Sequence, residues 1–184
     1  DLVPIQMPDP EELYRWTTII NRVEASHIHK EWIITRRDDY NTSTITRIAD
    51  GFDTPAVDYI DALERRDQAN KNFNEVVFRQ CDVLYCPLLL IDIPTIAETD
   101  IRNEAAAVSI VHHVTQTTRW VSFVGLPTLA LPIGFSSAGL PVSAQLIGPR
   151  FQEHRLLTLG DAYQKVTDWH KISPPNSSLN LGNT

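Results

Sequence analysis

Two short apolar segments in the second half of the chain constrain its fold more than any other feature. They are residues 128–133, TLALPI, and residues 142–147, VSAQLI. The segment 134–141 that separates them is rich in the turn-forming residues Gly, Ser and Pro. This arrangement predicts an antiparallel β-hairpin with a longer turn. Pro132 has no N–H to donate, so the first strand should bulge there or lie at an edge of its sheet.

Most of the remaining chain has helical signals. Asp9-Pro10 followed by two glutamates is a typical helix start, because Asp can cap, Pro suits the first position and acids favour the positive end of the helix dipole. Helices are expected over residues 10–36, 43–49, 55–80, 105–119 and 152–169. Gly51 is expected to close the second helix with a positive φ. The predicted apolar side of the last helix contains Leu156, Leu157, Leu159, Ala162, Tyr163 and Val166.

Residues 81–87, CDVLYCP, form a short apolar run that follows a helix and stops at Pro. Such a run is typical of a buried strand in an α/β layer, so the fold class is α/β or α+β. We expect a mainly helical segment 1–80, a strand and helix segment 81–172 that completes a sheet, and a loose tail 173–184. The first two segments should form a single structural unit within a larger domain.

Composition and charge exclude several classes of function. The chain has 16 Lys and Arg against 23 Asp and Glu, a net charge of −7, which is the wrong sign for binding nucleic acid directly. No apolar run approaches the roughly 18 residues that span a bilayer. With only two cysteines, a disulfide scaffold is not expected and a cytoplasmic location fits best. His27 and His29 are two residues apart, so on a helix they face different sides, and no metal site is expected.

The first residues, Asp1-Leu2-Val3-Pro4, lack the basic and apolar regions of a signal peptide. They also lack an initiating Met. We therefore expect the chain to be part of a longer protein.

Three stretches resemble the amidase signature family in order and spacing. Arg47-Ile48, Gly51, residues 56–65 and residues 81–87 are similar to its basic helix, its long helix of the type DYxxALxxR and its strand ending in Pro. The most specific match is residues 125–135, GLPTLALPIGF, with residues 139–148, GLPVSAQLIG. They resemble the family's run GLPALSVPxGF followed by GLPVGLQLIG. Residues 151–170 resemble its closing helix and T-x-W-H ending. The resemblance implies an α/β fold: the C-terminal part of the amidase signature fold, a mixed sheet covered by helices and incomplete on its own.

The resemblance also implies a mechanism with a Ser nucleophile, a cis-peptide Ser and a neutral Lys as base. Such catalysis needs an activated hydroxyl and donors for the oxyanion. In the family these residues lie N-terminal to the region matched here, so no catalytic residue is expected in this chain. Ser136 and Ser137 are the only Ser pair flanked by glycines, and we interpret them as turn residues. The chain alone should be inactive and should form a wall of the substrate pocket.

Candidate substrate-binding residues lie just before the Gly125 motif. Thr118, Arg119 and Trp120 are favoured, because an aromatic ring and a guanidinium can shape and orient a small polar amide. Core packing is the alternative for Trp120. Either His112 or His113 is a further candidate, with an ordinary surface or core histidine as the alternative.

Two more residues complete the candidate set. By the resemblance, Thr115 occupies the position where the glutamine-using component of the tRNA amidotransferase carries an acidic residue for the amino group of its substrate. A Thr there argues against free glutamine as the substrate. Arg47 is a candidate for binding a carboxylate at the pocket entrance, and a surface ion pair is the alternative.

Three functional hypotheses follow. The first is the C-terminal part of an amidohydrolase acting on a small amide without cofactor or metal, with the N-terminal portion of the same enzyme as its partner. The second is a part similar to the glutamine-using component of a glutamine-dependent tRNA amidotransferase. The third is a non-catalytic scaffold fragment, which an exposed strand edge disfavours. By resemblance, a homodimer is possible.

Overall fold

The computed structural model of the chain describes residues 1–100 and 104–174. Its helices are α1 (Pro10–Thr35), α2 (Thr42–Ala49), α3 (Ala56–Asn72), α4 (Glu104–Val124) and α5 (Glu153–Val166). Its strands are β1 (Leu84–Pro87), β2 (Thr128–Phe135) and β3 (Pro141–Ile147). A π-helical turn, Phe73–Val77, extends α3, and short 3-10 helices occupy Arg37–Asp39 and Trp169–Lys171. Most of the predicted loose tail, residues 175–184, lies outside the described residues.

The predicted hairpin is confirmed. Strands β2 and β3 pair antiparallel, and β1 pairs antiparallel with the other side of β3, so the strand order is β1-β3-β2. The register of β2 shifts between Pro132 and Gly134, and β2 is an edge strand of this sheet. Both expectations for Pro132 therefore hold, because a residue without an N–H fits a bulge and an outer strand. In the turn, the Ser136 N–H donates to the Leu140 carbonyl at 2.8 Å, and Gly139 has a φ of 76°.

The sheet is packed between two helical layers. On one face, Ile147 of β3 and Leu84 of β1 join a buried cluster with residues of α1, α3 and α4. On the other face, Leu146 of β3 packs with Leu131 of β2 and Leu156 of α5. The faces alternate because successive residues of a strand point to opposite sides. The fold is therefore a mixed α/β structure with helices on both sides of a small antiparallel sheet.

The start of α1 is formed as its sequence indicates. The Asp9 carboxylate accepts a hydrogen bond from the Glu11 N–H at 2.9 Å, and Pro10 lies in the first turn. This cap satisfies one of the backbone donors that a helix start leaves without an intrahelical partner. The helix then runs to Thr35, close to the predicted end.

The expectation for Gly51 was wrong in its cause. Gly51 is not among the residues with positive φ, which are Gly125, Gly134, Gly139 and Phe151 in the described chain. Instead, a Cβ on Gly51 would lie 2.1 Å from the Ser26 Oγ and 2.2 Å from the Arg22 carbonyl oxygen. The chain leaving α2 passes so close to α1 that only glycine fits. Close packing, and not backbone conformation, selects this residue.

Two other sequence predictions need correction. The predicted strand 81–87 is shorter, Leu84–Pro87, and is not fully buried, since Tyr85 is 59 % exposed. The predicted apolar side of α5 is also wrong in part. Leu156 is buried, but Leu157, Leu159 and Val166 are exposed. The physical reason is the same in both cases, because the three-stranded sheet is too narrow to cover these side chains.

The remaining helices agree with prediction in position. Helix α3 with its π-helical turn covers 56–77 of the predicted 55–80, while α4 continues beyond the predicted end at Arg119 to Val124. Within residues 1–100 and 104–174, none of the helices combines the length and apolarity needed to cross a bilayer.

Candidate functional site

A cavity of about 1030 Å³ lies beside strand β1. Residues from both faces of the sheet line it, with Cys86 and Ile147 on the side of α4 and Tyr85 and Leu146 on the side of α5. In the described part of the chain, no strand pairs with the outer side of β1. The cavity therefore surrounds an open sheet edge, which presents backbone hydrogen-bonding groups.

Helix α4 supplies one wall of the cavity. Gln116, Thr117 and Trp120 line it from one side of the helix. The Trp120 ring is buried and stacks on the Phe73 ring, with centroids 5.0 Å apart and planes at 12°. The π-helical turn that carries Phe73 thus fixes the aromatic part of the wall. This arrangement provides a rigid apolar surface with a few polar groups beside it, which is typical of small-molecule sites.

A buried polar network anchors this wall to the sheet. The Gln145 side-chain amide donates to the Thr117 carbonyl at 2.8 Å and lies 3.5 Å from the Pro87 carbonyl. The Thr117 hydroxyl donates to the carbonyl of Leu88. Helix α4, the end of β1 and strand β3 are therefore connected through side-chain hydrogen bonds.

His112 and Arg119 contact α1 and not the cavity. The His112 Nε2 lies 3.0 Å from the Glu11 Oε1, and the His112 ring meets the Tyr14 ring edge-on at 4.2 Å. The Arg119 guanidinium lies 4.6 Å from the centroid of the same Tyr14 ring. A cation over an aromatic face is attractive, so these contacts hold α4 against α1. His113 is exposed, and its Nδ1 lies 2.7 Å from the Ser109 carbonyl oxygen.

The two threonines of the candidate set form hydrogen bonds within α4. The Thr115 hydroxyl donates to the Val111 carbonyl at 2.9 Å, and the Thr118 hydroxyl lies 3.3 Å from the Thr115 carbonyl. Arg47 is exposed on α2, an element that contributes no residue to the cavity. Of the six candidates, the structure places Trp120 alone at the cavity.

Sequence reasoning missed Gln116, Thr117 and Gln145. A signal for the first two was present, because positions three and four before Trp120 share its face of a helix. Proximity in sequence suggested Thr118 and Arg119 instead, although neighbours in a helix point in different directions. Gln145 carried a signal too, since it is the one polar side chain in the run AQLI of β3.

The hairpin serines occupy the turn, as expected. The Ser136 Oγ accepts the Leu140 N–H at 3.3 Å, and Ser136 and Ser137 lie between β2 and β3 on the surface side. Two of the lysines, Lys165 and Lys171, pair with aspartates close to them in sequence. The described contacts of the serines thus belong to a turn and not to a catalytic group.

Both cysteines line the cavity. Burial raises the pKa of the Cys86 thiol, and a hydrogen bond from Gln145 opposes this in part. Burial, with the nearby Asp82 carboxylate, also raises the pKa of Cys81. A raised pKa disfavours the thiolate, which is the nucleophilic form. Neither thiol has the environment of a reactive cysteine. Among the described residues, no group of three or more His, Cys, Asp and Glu side chains is arranged to hold a metal ion.

Together, the layered fold and the cavity at the sheet edge define a part of an α/β enzyme-like domain. The family model described as Amidase matches residues 1–157, so the chain belongs to the amidase family. This confirms the resemblance found in the motifs. A solved structure of 6-aminohexanoate cyclic dimer hydrolase is similar in fold, with a TM-score of 0.75 at 16 % identity, over 92 % of this chain and 39 % of that chain.

Relatives are found among two kinds of protein. A component of the Glutamyl-tRNA(Gln) amidotransferase of Bordetella petrii is 37 % identical over 118 residues, which are 63 % of this chain and 22 % of that protein. The putative amidase AmiD of Mycobacterium tuberculosis (strain ATCC 25618 / H37Rv) is 31 % identical over 153 residues, 83 % of this chain and 32 % of that protein. The chain thus spans 22 % to 32 % of the length of these relatives.

Proposed function

We propose that this chain is the C-terminal part of a serine-dependent amidohydrolase, which hydrolyses a small-molecule amide to a carboxylate and ammonia or an amine. In this proposal the chain supplies a wall of the substrate pocket, and the catalytic Ser-Ser-Lys residues come from the N-terminal portion of the same enzyme. One observation carries the proposal: in a chain of the amidase family, a large cavity lies along an open sheet edge and is lined by α4.

The open edge of β1 supports the proposed partner. Leu84–Pro87 pairs with β3 on one side, and the cavity on the other side is lined from both faces of the sheet. A further strand placed beside β1 would satisfy its free backbone groups and would fill a space of that shape. Exposed apolar side chains next to it, such as Tyr85 and Leu90, would be covered at the same time. We therefore place the N-terminal portion at this edge.

The α4 wall suits a role in binding rather than in bond cleavage. Trp120 offers an apolar face, while Gln116 and Thr117 place an amide and a backbone segment beside it. Such groups can shape and orient an amide substrate, whereas the nucleophile and the oxyanion donors must be supplied elsewhere. His112 and Arg119 contribute indirectly, because their contacts with α1 hold the helix that carries the wall.

The test is ammonia release by the complete enzyme. The polypeptide that contains this chain is assayed with a panel of small aliphatic and aromatic amides, beside this chain alone and a mixture of this chain with its separately expressed N-terminal portion. We expect turnover by the complete enzyme and by the mixture, and none by this chain alone. Turnover by this chain alone would contradict the division of roles, and no turnover by any sample would contradict the amidohydrolase assignment.

A second candidate is a part of a glutamine-dependent tRNA amidotransferase, with a partner protein that receives ammonia. The 37 % identity to the Bordetella petrii protein favours it. Thr115 counts against it, because its hydroxyl is engaged with the Val111 carbonyl of its own helix and carries no charge for an amino group. Glutaminase activity that is present only with partner proteins and tRNA would favour this second candidate.

A further inference from the structure

Gln145 is the most deeply buried polar side chain of the sheet. It is 1 % exposed, in the middle of the central strand β3. A polar group that is fully buried destabilises a protein unless its hydrogen bonds are satisfied. Here the amide Nε2 donates to the Thr117 carbonyl of α4, with the Pro87 carbonyl of β1 as the second acceptor within reach. One side chain therefore joins three elements.

Two further hydrogen bonds extend this connection. The Thr117 hydroxyl donates to the Leu88 carbonyl, and the Leu88 N–H donates to the Ser143 carbonyl of β3 at 3.1 Å. The path from β3 to α4, on to the chain after β1 and back to β3 is closed. A closed network of this kind fixes the relative positions of its members, because each displacement breaks a buried hydrogen bond.

We propose that Gln145 is a positioning residue for the substrate pocket. It does not line the cavity, but Thr117 and Pro87, which accept its hydrogen bonds, both do. Gln145 acts through them by holding the α4 wall at a set distance from β1. This inference rests on the proposed function for its effect on substrate, but the placement of the wall can be measured independently.

The chemistry of the side chain explains why glutamine is needed. Its amide carries two N–H donors, and both neighbouring groups are carbonyl oxygens that only accept. Methionine has nearly the same size and no donor, while an ionised glutamate can only accept. Both substitutions therefore keep the volume of the core and remove the donor.

The kinetic test uses the complete enzyme with Q145M, Q145E and the control Q164M. Gln164 is an exposed residue of α5, so Q164M makes the same chemical change away from the site. We expect Q145M and Q145E to raise KM about tenfold with kcat changed by less than about threefold, because a displaced wall weakens binding of substrate and transition state alike. We expect Q164M to match the wild type. A loss confined to kcat, or an equal effect of Q164M, would overturn the proposal.

The structural test is hydrogen exchange at the Leu88 N–H and in residues 117–121, again in the complete polypeptide. We expect faster exchange at these amides in Q145M and no change in Q164M. Unchanged exchange would overturn the proposal even if activity falls. If the wild-type enzyme hydrolyses no amide, the proposed function fails, and exchange alone decides whether Gln145 positions the wall.

A second variant covers the case in which Q145M does not fold. T117V leaves Gln145 and the Thr117 carbonyl in place and removes only the hydroxyl that bonds Leu88. We expect a smaller rise in KM in the same direction, with faster exchange at Leu88. Neither change in T117V would contradict the network on which the proposal depends.

Discussion

Replacement of Gly51 by alanine tests whether α2 leaves α1 as closely as the structure shows. An added Cβ would lie 2.1 Å from the Ser26 Oγ and 2.2 Å from the Arg22 carbonyl oxygen, and the second atom belongs to the backbone of α1. Ser26 is itself fixed, because its hydroxyl donates to the Arg22 carbonyl at 2.7 Å and contacts the Ile48 carbonyl. Rotating a side chain cannot relieve such a contact, so a helix must move.

The expected magnitude comes from two opposing effects. Where φ is compatible, Gly to Ala stabilises a protein by about 0.4 to 1 kcal/mol through the unfolded state. Overpacking a well-packed site destabilises by about 1 to 3 kcal/mol, and the observed approach is shorter than any ordinary contact. We therefore expect G51A to lower the free energy of unfolding by about 1 to 3 kcal/mol, the opposite sign to that for an unhindered glycine.

The assay is urea unfolding of the complete polypeptide followed by circular dichroism. G148A is the matched control, because its Cβ would lie 3.2 Å from the end of the flexible Leu156 side chain. We expect G148A to change the free energy of unfolding by less than about 1 kcal/mol. If G51A were as stable as the wild type or as G148A, the close approach of α2 to α1 would be refuted.

Three further results are expected. F73A should lower the free energy of unfolding by about 3 to 5 kcal/mol, because a fully buried ring stacked on Trp120 is lost, and urea unfolding will show whether it does. Cys86 should react with iodoacetamide more slowly at pH 8 than a thiol in a short peptide, and should approach that rate only at higher pH, because burial raises its pKa; by linkage this contribution to stability is complete at lower pH and is lost as the pH rises through the pKa of the folded state. E11A should change stability by less than about 1 kcal/mol in the same unfolding assay, since the carboxylate that meets His112 is largely exposed.

The elements with a strong local signal could be predicted from sequence. The hairpin is an example, because two apolar runs and a Gly-rich turn specify it without reference to the rest of the chain. The bulge at Pro132 is another, since the missing N–H is a property of the residue itself. The start of α1 followed for the same reason from Asp9 and Pro10. Local chemistry was sufficient wherever it determined the structure.

What depends on a neighbouring element could not be predicted in the same way. Gly51 illustrates this, because the sequence shows a glycine after a helix and not the Ser26 side chain that would meet its Cβ. The exposure of Val166, 81 %, is a second example, since its apolar character indicated burial but the sheet does not reach it. Tertiary packing overrides the local pattern in both cases.

The candidate site shows how position on a helix decides function. His112 and Arg119 differ by seven residues, so they share a face of α4, and that face contacts Tyr14 of α1. Thr117 and Trp120 share the adjacent face, which lines the cavity. A short segment of one helix therefore has two separate tasks, one in holding α4 and one in forming the wall. Substitution at Arg119 should consequently change stability before it changes KM, whereas substitution at Thr117 should do the reverse. Measuring both quantities for R119M and T117V in the complete enzyme tests the separation, and equal effects of the two variants on KM would contradict it.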